Sequence, residues 1–391
     1  MAVERSSIAD ILKAANKKYD FTAGTIDDVI TYVKAISTGN LALDEILDIG
    51  GLPEGRMVEL YGLPSSGKTT CALQVAATAQ QEIIDTKSNQ HILYMDYEHA
   101  LDKKYTKSLG LDLDHNSVIL AQPTSLEKGA QLTRDLVNTG QISLVIWDSV
   151  AEALPEAMAE GDSDQHFVAV RARLMSQFLQ QINPSLFQNN TTAIFLNHLM
   201  EAIPMGYSPG PPKKKTPGGD ALKFFSSVRL EFTQTKAVKG KRFNRLSNSM
   251  EDVTTSADVK VKVVKNKVGN PNRECILRVR YGMGFDNFWT AMQILMGYKK
   301  VPNSAGYYYF DKLPDLAHPE LTVSATGRPN VKGEDNLLSF ADDHPLWRSL
   351  VIEEARKVLE TSEEPLEDAI LSSDKDELLG GFASMEELED A

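Results

Sequence analysis

The chain has 391 residues, 42% hydrophobic and 24% charged, an ordinary globular composition that supports one large domain with smaller appendages. No run of about 18 apolar residues occurs and MAVERSSIADILKAANKKYD has no apolar signal core, so a soluble protein that is neither exported nor membrane-bound is expected. The net charge of −13 is concentrated in residues 360–391, where twelve acids meet one lysine; taking that −11 away leaves −2 for the body.

In chain order, SSIADILKAANKKYD combines a serine cap with Ile8, Ile11, Leu12 and Ala15 at helical spacing, which predicts a short amphipathic helix. From Met57 onward come short apolar runs: MVELY, HILYMD, SVIL, SLVIWD, TAIFLN, VRLEF, VKVKVV and CILRVR. Helix-length segments such as TTCALQVAATAQQ and VRARLMSQFLQQI separate the early ones, so the reading is an α/β core of βα units with a mainly parallel sheet. The later runs follow more closely and predict an antiparallel extension of that sheet. After Gly284 an aromatic, loop-rich stretch, a polar stretch and the helical DHPLWRSLVIEEARKVLE predict a small C-terminal α+β domain. The expected boundaries are 1–24, 25–285 for the core, 286–359 for the small domain, and 360–391 for an acidic tail expected to be disordered. Cys71 and Cys275, with no CxxC pair, indicate neither a disulfide scaffold nor a structural zinc site, and fit a reducing cytoplasm.

The sharpest signal is GLPSSGKTT. Gly62, Leu63, Pro64, Ser65, Ser66, Gly67, Lys68 and Thr69, followed by Thr70, match GxxxxGK[ST] between a predicted strand and a predicted helix. Glycines let backbone N–H groups wrap phosphates, Lys68 reaches the β and γ groups, and the Thr69 hydroxyl binds Mg²⁺, so ATP and Mg²⁺ are the expected ligands. Asp148 and Ser149 end the apolar strand SLVIWD, where a carboxylate is costly unless it serves a cation. Asp96 and Glu98 follow HILYMD at the carboxyl edge, where open α/β sheets bind ligands and where a group must position the attacking water. Aspartate after a strand is also an ordinary turn residue; the P-loop tips the balance to catalysis.

Taken together, AISTGNLALDEIL, GGLPEGRMVELYGLPSSGKTT, MDYEHALD, VIWDSVAEALP, IFLNH, TPGGDALKFFSSVRLEF and VKVVKNK resemble the RecA-type recombinases, in family order, over residues 35–284. The C-terminal part looks more like that of phage-encoded members. The resemblance implies an ATP-dependent helical filament on single-stranded DNA, a homo-oligomer that pairs with homologous double-stranded DNA and exchanges strands in the cytoplasm of a bacterium or phage-infected host. Residues 1–24 would then serve oligomerisation, and single-strand-binding and mediator proteins become candidate partners. It further implies that Glu98 activates water, that Asp148 holds Mg²⁺ through water, that Tyr105 stacks on adenine, and that Asp102 reads its amino group. Lys265 and Lys267 would reach the γ-phosphate of a neighbouring subunit's ATP, with Phe224 and Arg229 at or near that interface; without the resemblance, a solvated charged strand and a core phenylalanine are the alternatives.

GYSPGPPKKKTPGGD then falls where the family keeps its mobile DNA loop. Ile203 and Tyr207 would wedge or stack between bases, Lys213, Lys214 and Lys215 would neutralise phosphates, and Gly218 and Gly219 would let the backbone approach. A second loop would span 157–167, with Arg173 on the following helix. Met200 replaces an arginine common in the family, for which the triple lysine is a candidate substitute, and His198 replaces a glutamine that senses the γ-phosphate. Two other readings stay open: a ring-forming ATPase such as a replicative helicase, and a non-enzymatic DNA-binding mediator.

Overall fold

The computed structural model describes residues 7–19, 23–24, 32–159, 166–201, 214–244 and 248–362; Ile203, Tyr207 and Lys213 lie outside them, as do most of the second loop and the tail. Up to Lys34 the chain forms its own unit, whose helix Ile8–Tyr19 opens on Ser7: its hydroxyl accepts from the Asp10 amide at 3.2 Å. The rest, from Ala35, is one compact unit.

That unit is built on a nine-stranded sheet. In spatial order the strands are Gly284–Phe285, Glu274–Arg280, Ser249–Asn266, Val228–Asn244, Met57–Gly62, Thr192–His198, Ile142–Asp148, His91–Asp96 and Val118–Ala121. All pairings from Val228–Asn244 to Val118–Ala121 are parallel, and the other three are antiparallel. The expected α/β core with an antiparallel extension is therefore what forms. Parallel strands need crossovers, and the buried helices Lys68–Asp85 and His166–Gln188 supply them on opposite faces. One face packs Val58, Leu60, Ile146 and Ile194 against Cys71, Val75 and Ala76; the other packs Trp147 and Phe195 against Phe178 and Leu179.

The long strand Val228–Asn244 pairs with Ser249–Asn266 so that Lys236 stands opposite Asp258, Lys241 opposite Asp252 and Arg242 opposite Glu251. One sequence reading changes in the structure. Within the stretch read as loop-rich, Asn287–Gly297 is a helix: Asp286 caps it, accepting from the amides of Phe288 and Trp289. The helix is buried nearly all round, so its sequence carries no amphipathic stripe to announce it. It joins the sheet's apolar cluster to the four-stranded sheet of residues 303–332 and the helices Glu334–Asp343 and Pro345–Thr361.

Behind the carboxyl edge lies a buried polar network. Glu59, fully buried on the P-loop strand, accepts from Arg229 Nε at 2.6 Å and from Asn197 Nδ2 at 3.0 Å, while Arg229 also stacks over Tyr61. Removing Glu59 leaves the guanidinium buried without its counter-charge. Glu59→Ala should therefore cost about 3–5 kcal/mol, read as a lower urea midpoint of the intact chain, and Glu59→Leu with Arg229→Met should recover much of it. A single variant that melts like the parent would show that the pair has no structural weight.

Candidate active site

The phosphate loop follows from two glycines with different reasons. A Cβ on Gly62 would lie 2.3 Å from the Phe232 carbonyl oxygen and 2.9 Å from Ser66 Oγ. Gly67 has φ of +91°, a left-handed conformation that glycine enters without strain, and it opens the helix Lys68–Asp85. Between them Leu63 is half exposed, Ser65 has a positive φ and Ser66 is buried. Lys68 is buried under the loop, its ammonium donating to the carbonyls of Gly62 at 3.2 Å and Leu63 at 2.9 Å. Burial brings its pKa down to about 8.

Beside it, Asp148 Oδ2 accepts from the Thr69 hydroxyl at 3.1 Å and from the Tyr94 hydroxyl at 2.6 Å. Burial pushes this carboxyl up to about 6. Glu98 is the opposite case: His198, whose Nε2 lies 3.0 Å from Glu98 Oε1, holds the carboxyl below its ordinary range. The other ring nitrogen of His198 and the Ser149 hydroxyl are buried with no hydrogen-bond partner among the described residues. Pro64 to Thr70, Glu98, Tyr105, Asp148, Ser149 and His198 line one cavity of about 420 Å³. That volume suits a nucleotide, and the hard oxygens of Thr69 and Asp148, next to an orphaned hydroxyl, are the donor type magnesium prefers.

Tyr105 reaches the cavity with its hydroxyl 2.7 Å from Thr70 Oγ1. Asp102 does not line it: its carboxylate caps the helix Lys103–Ser108, accepting from the Tyr105 amide at 2.6 Å, and so fixes where that ring starts. Asp96 is buried and accepts from Gln122 at 3.1 Å, also outside the lining. Neither Lys265 nor Lys267 lines the cavity of its own subunit; both amines donate to carbonyls at the end of the helix Ala221–Phe225, Lys265 to Lys223 and Phe224, Lys267 to Phe224. Phe224 is 73% exposed rather than core, whereas Arg229 is buried on Glu59 rather than presented on the surface.

At the edge of the sheet, His198 ends its strand and the next amide, Leu199 N, donates to the Gly62 carbonyl at 3.0 Å. Met200–Glu201 then pairs antiparallel with Lys214–Lys215. Lys215 is exposed and stands directly opposite Met200. Gly218 and Gly219 have positive φ, and a Cβ on either would press on Val150 or Ala172, so packing accounts for both glycines. Arg173 is exposed on the helix His166–Gln188.

Sequence reasoning missed Tyr94, Asn197, Tyr281 and Gly282. Tyr94 looks like a core tyrosine in an apolar strand, and only its contact with Asp148 reveals a polar task. Asn197 Nδ2 donates both to Glu59 and to the Pro217 carbonyl, 3.1 Å away, which ties the strand before His198 to the far end of the loop. Tyr281 and Gly282 come to the cavity from the antiparallel strands, beyond the reach of any local motif.

A family model described as the RecA N-terminal domain matches residues 6–286. Among curated proteins, Protein RecA of Streptococcus pyogenes serotype M49 (strain NZ131) is 34% identical over 396 residues, covering 99% of this chain and 95% of that protein. Protein RecA of Streptococcus parasanguinis is 34% identical over 343 residues, covering 87% and 81%. That of Streptococcus pyogenes serotype M1 is 33% identical over 393 residues, covering 99% and 95%.

The lowered pKa of Lys68 has a measurable sign. Above about pH 8 the lysine of the empty site is largely neutral, and a triphosphate anion beside it restores the charge, so binding must take up a proton and weaken as pH rises through that value. Calorimetry of ATP binding in buffers of different ionisation enthalpy should show close to one proton taken up near about pH 9 and little near about pH 7, with Lys68→Arg abolishing the difference. Equal uptake at both pH values would remove Lys68 from contact with phosphate.

Proposed function

This chain belongs to the RecA family, and from that premise we propose how its residues divide the work of an ATP-dependent recombinase. Membership brings DNA binding, assembly of the chain with copies of itself, homologous pairing and strand exchange, driven by a P-loop ATPase. It gives no support to the ring-forming helicase or to a non-enzymatic mediator. Among the described residues no helix is long and apolar enough to cross a membrane; we place the protein in the cytoplasm, with Mg²⁺ as its metal.

The observation that carries the assignment of roles is the Glu98–His198 pair, 3.0 Å apart in the cavity formed by the P-loop. Glu98, kept ionised by the ring, is the base that orients water for attack on the γ-phosphorus; the bond from that phosphorus to the bridging β–γ oxygen breaks, and ADP and phosphate leave. When bound between Thr69 and Asp148, magnesium would offset the negative charge of the phosphates. Lys68 gives up its loop carbonyls to hold the phosphates. We assign His198 as the γ-phosphate sensor: it lines the cavity, its Nε2–H can pass from Glu98 to a phosphate oxygen, and a change in its position acts on Leu199. Lys265 and Lys267, held on the outer side of the helix that presents Phe224, would complete a neighbour's site and tie hydrolysis to assembly.

Lys68→Ala should abolish hydrolysis, while Glu98→Gln should bind ATP, hydrolyse it at least about 100-fold more slowly and hold the protein on DNA, as expected for loss of a general base. Measuring ATP turnover with and without single-stranded DNA checks both; fast turnover by the glutamine variant would exclude Glu98 as the base.

Lys213, Lys214 and Lys215 are proposed to neutralise DNA phosphates, with Ile203 and Tyr207 between the bases. Each lysine should then contribute about 0.7 to the slope of log K against log salt on single strands. Replacing all three with alanine should flatten the slope and weaken every DNA sequence alike. A slope equal to that of the parent would leave them as solubilising residues.

A further inference from the structure

Far along the chain from the nucleotide cavity, three side chains of the C-terminal segment converge: His318, Glu320 and His344, whose ligand atoms all lie within 4.8 Å of one another. His318 and Glu320 sit in the turn before the strand Thr322–Val323, and His344 sits between the helices Glu334–Asp343 and Pro345–Thr361. None of them lines the ATP cavity, and neither the family match, which ends at residue 286, nor the roles given above use them.

The surroundings of His344 leave it one nitrogen for either a proton or a cation. Its Nδ1 lies 2.8 Å from the Phe340 carbonyl oxygen, which can only accept, so Nδ1 carries the proton there. In the neutral ring that leaves a lone pair on Nε2, and Nε2 faces Glu320 Oε2 at 3.1 Å. Two acceptors that close require a positive charge between or upon them. A backbone carbonyl behind one imidazole nitrogen, with the other nitrogen turned to a carboxylate, is also an arrangement found around metal-binding histidines. The rings are held firmly: His344 stacks on Phe340 with centroids 4.1 Å apart, and His318 lies edge-on to both at 4.7 and 5.5 Å. His318 Nδ1 is occupied only by a long bond from the Glu320 amide, 3.3 Å.

We propose that His318, Glu320 and His344 form a site for a divalent cation of the zinc class, clamping the turn at 318–320 to the start of the last helix. With bonds of about 2.0–2.1 Å, tetrahedral zinc places its ligand atoms about 3.3 Å apart. His344 and Glu320 already stand near that spacing, and His318, within 4.8 Å of both, would have to move closer on binding. Two imidazoles and one carboxylate suit zinc and not magnesium, which demands oxygen, and three protein ligands leave the fourth position to water. The two cysteines are buried elsewhere, so cysteine count alone could not announce such a site.

The test titrates zinc chloride into the intact protein in saturating magnesium, by calorimetry, with the thermal midpoint followed in parallel. One equivalent should bind and raise the midpoint. His344→Gln and Glu320→Gln should each weaken binding by about 100-fold or more, beyond the roughly 10–100-fold cost of losing a mere supporting bond. Each variant should melt like the parent in chelator, and His198→Gln, which alters the other histidine–carboxylate pair, should keep the bound zinc. Cobalt(II) in place of zinc should give the visible ligand-field absorption of a four-coordinate site, a readout on the parent alone that does not depend on the variants folding. Zinc binding that survives in His318→Gln/His344→Gln, or that disappears in His198→Gln, overturns the proposal, and so does a parent with no cobalt absorption.

Discussion

Six strands running in one direction bring all their carboxyl ends to one edge of the sheet, and the register between them decides what meets there. Gly62 lies beside His198, Trp147 beside Phe195, and Asp96 beside Asp148. One strand therefore leads into the phosphate loop, its neighbour ends in His198, the next ends in Asp148, and the next is followed by Glu98 two residues beyond its end. A slip of one residue would turn each side chain to the opposite face. Trp147 and Phe195 fill one face and Val58 and Leu60 the other, so a slip would exchange large aromatic and smaller aliphatic side chains between two close-packed cores.

The same burial sets the electrostatics. Lys68 falls to about 8 and Asp148 rises to about 6, both chiefly through desolvation, while Glu98 is pulled down by His198. Lys68 and Asp148 are thus buried charges whose desolvation is not fully offset, whereas Glu98 already has His198 beside it. One layer deeper, Glu59 grips Arg229 and Asn197, and Asn197 grips the Pro217 carbonyl, so the strand ending in His198 and the residues from Pro217 onward are tied to one buried carboxylate.

How much of this was legible depended on whether the signal was local. The P-loop, Asp148 and Glu98 each sit beside a strand whose apolar run is visible in the sequence, and the structure places them around one cavity. Tyr94 was hidden because a tyrosine in an apolar strand has the pattern of core. The Glu59–Arg229 pair joins residues 170 apart, which no periodicity reports. Gly218 and Gly219 were read as making room for DNA, yet the neighbours that require glycine are Val150 and Ala172, one on another loop and one on another helix. The helix Asn287–Gly297 escaped because it is apolar on all sides, and amphipathic contrast is what helical periodicity detects.

Charge illustrates why a total misleads about partners. In the long hairpin, basic Lys236, Lys241 and Arg242 each stand opposite an acid in the register of the two strands. Lys214 likewise stands opposite Glu201, whereas exposed Lys215 stands opposite Met200, an uncharged residue. Over a screening length of about 10 Å at 0.1 M salt, a phosphate backbone there responds to these lysines and not to the −11 carried by residues 360–391, unless that segment comes within the same distance. An acidic protein can thus present a cationic edge to DNA because the positions of its charges, and not their sum, govern the contact.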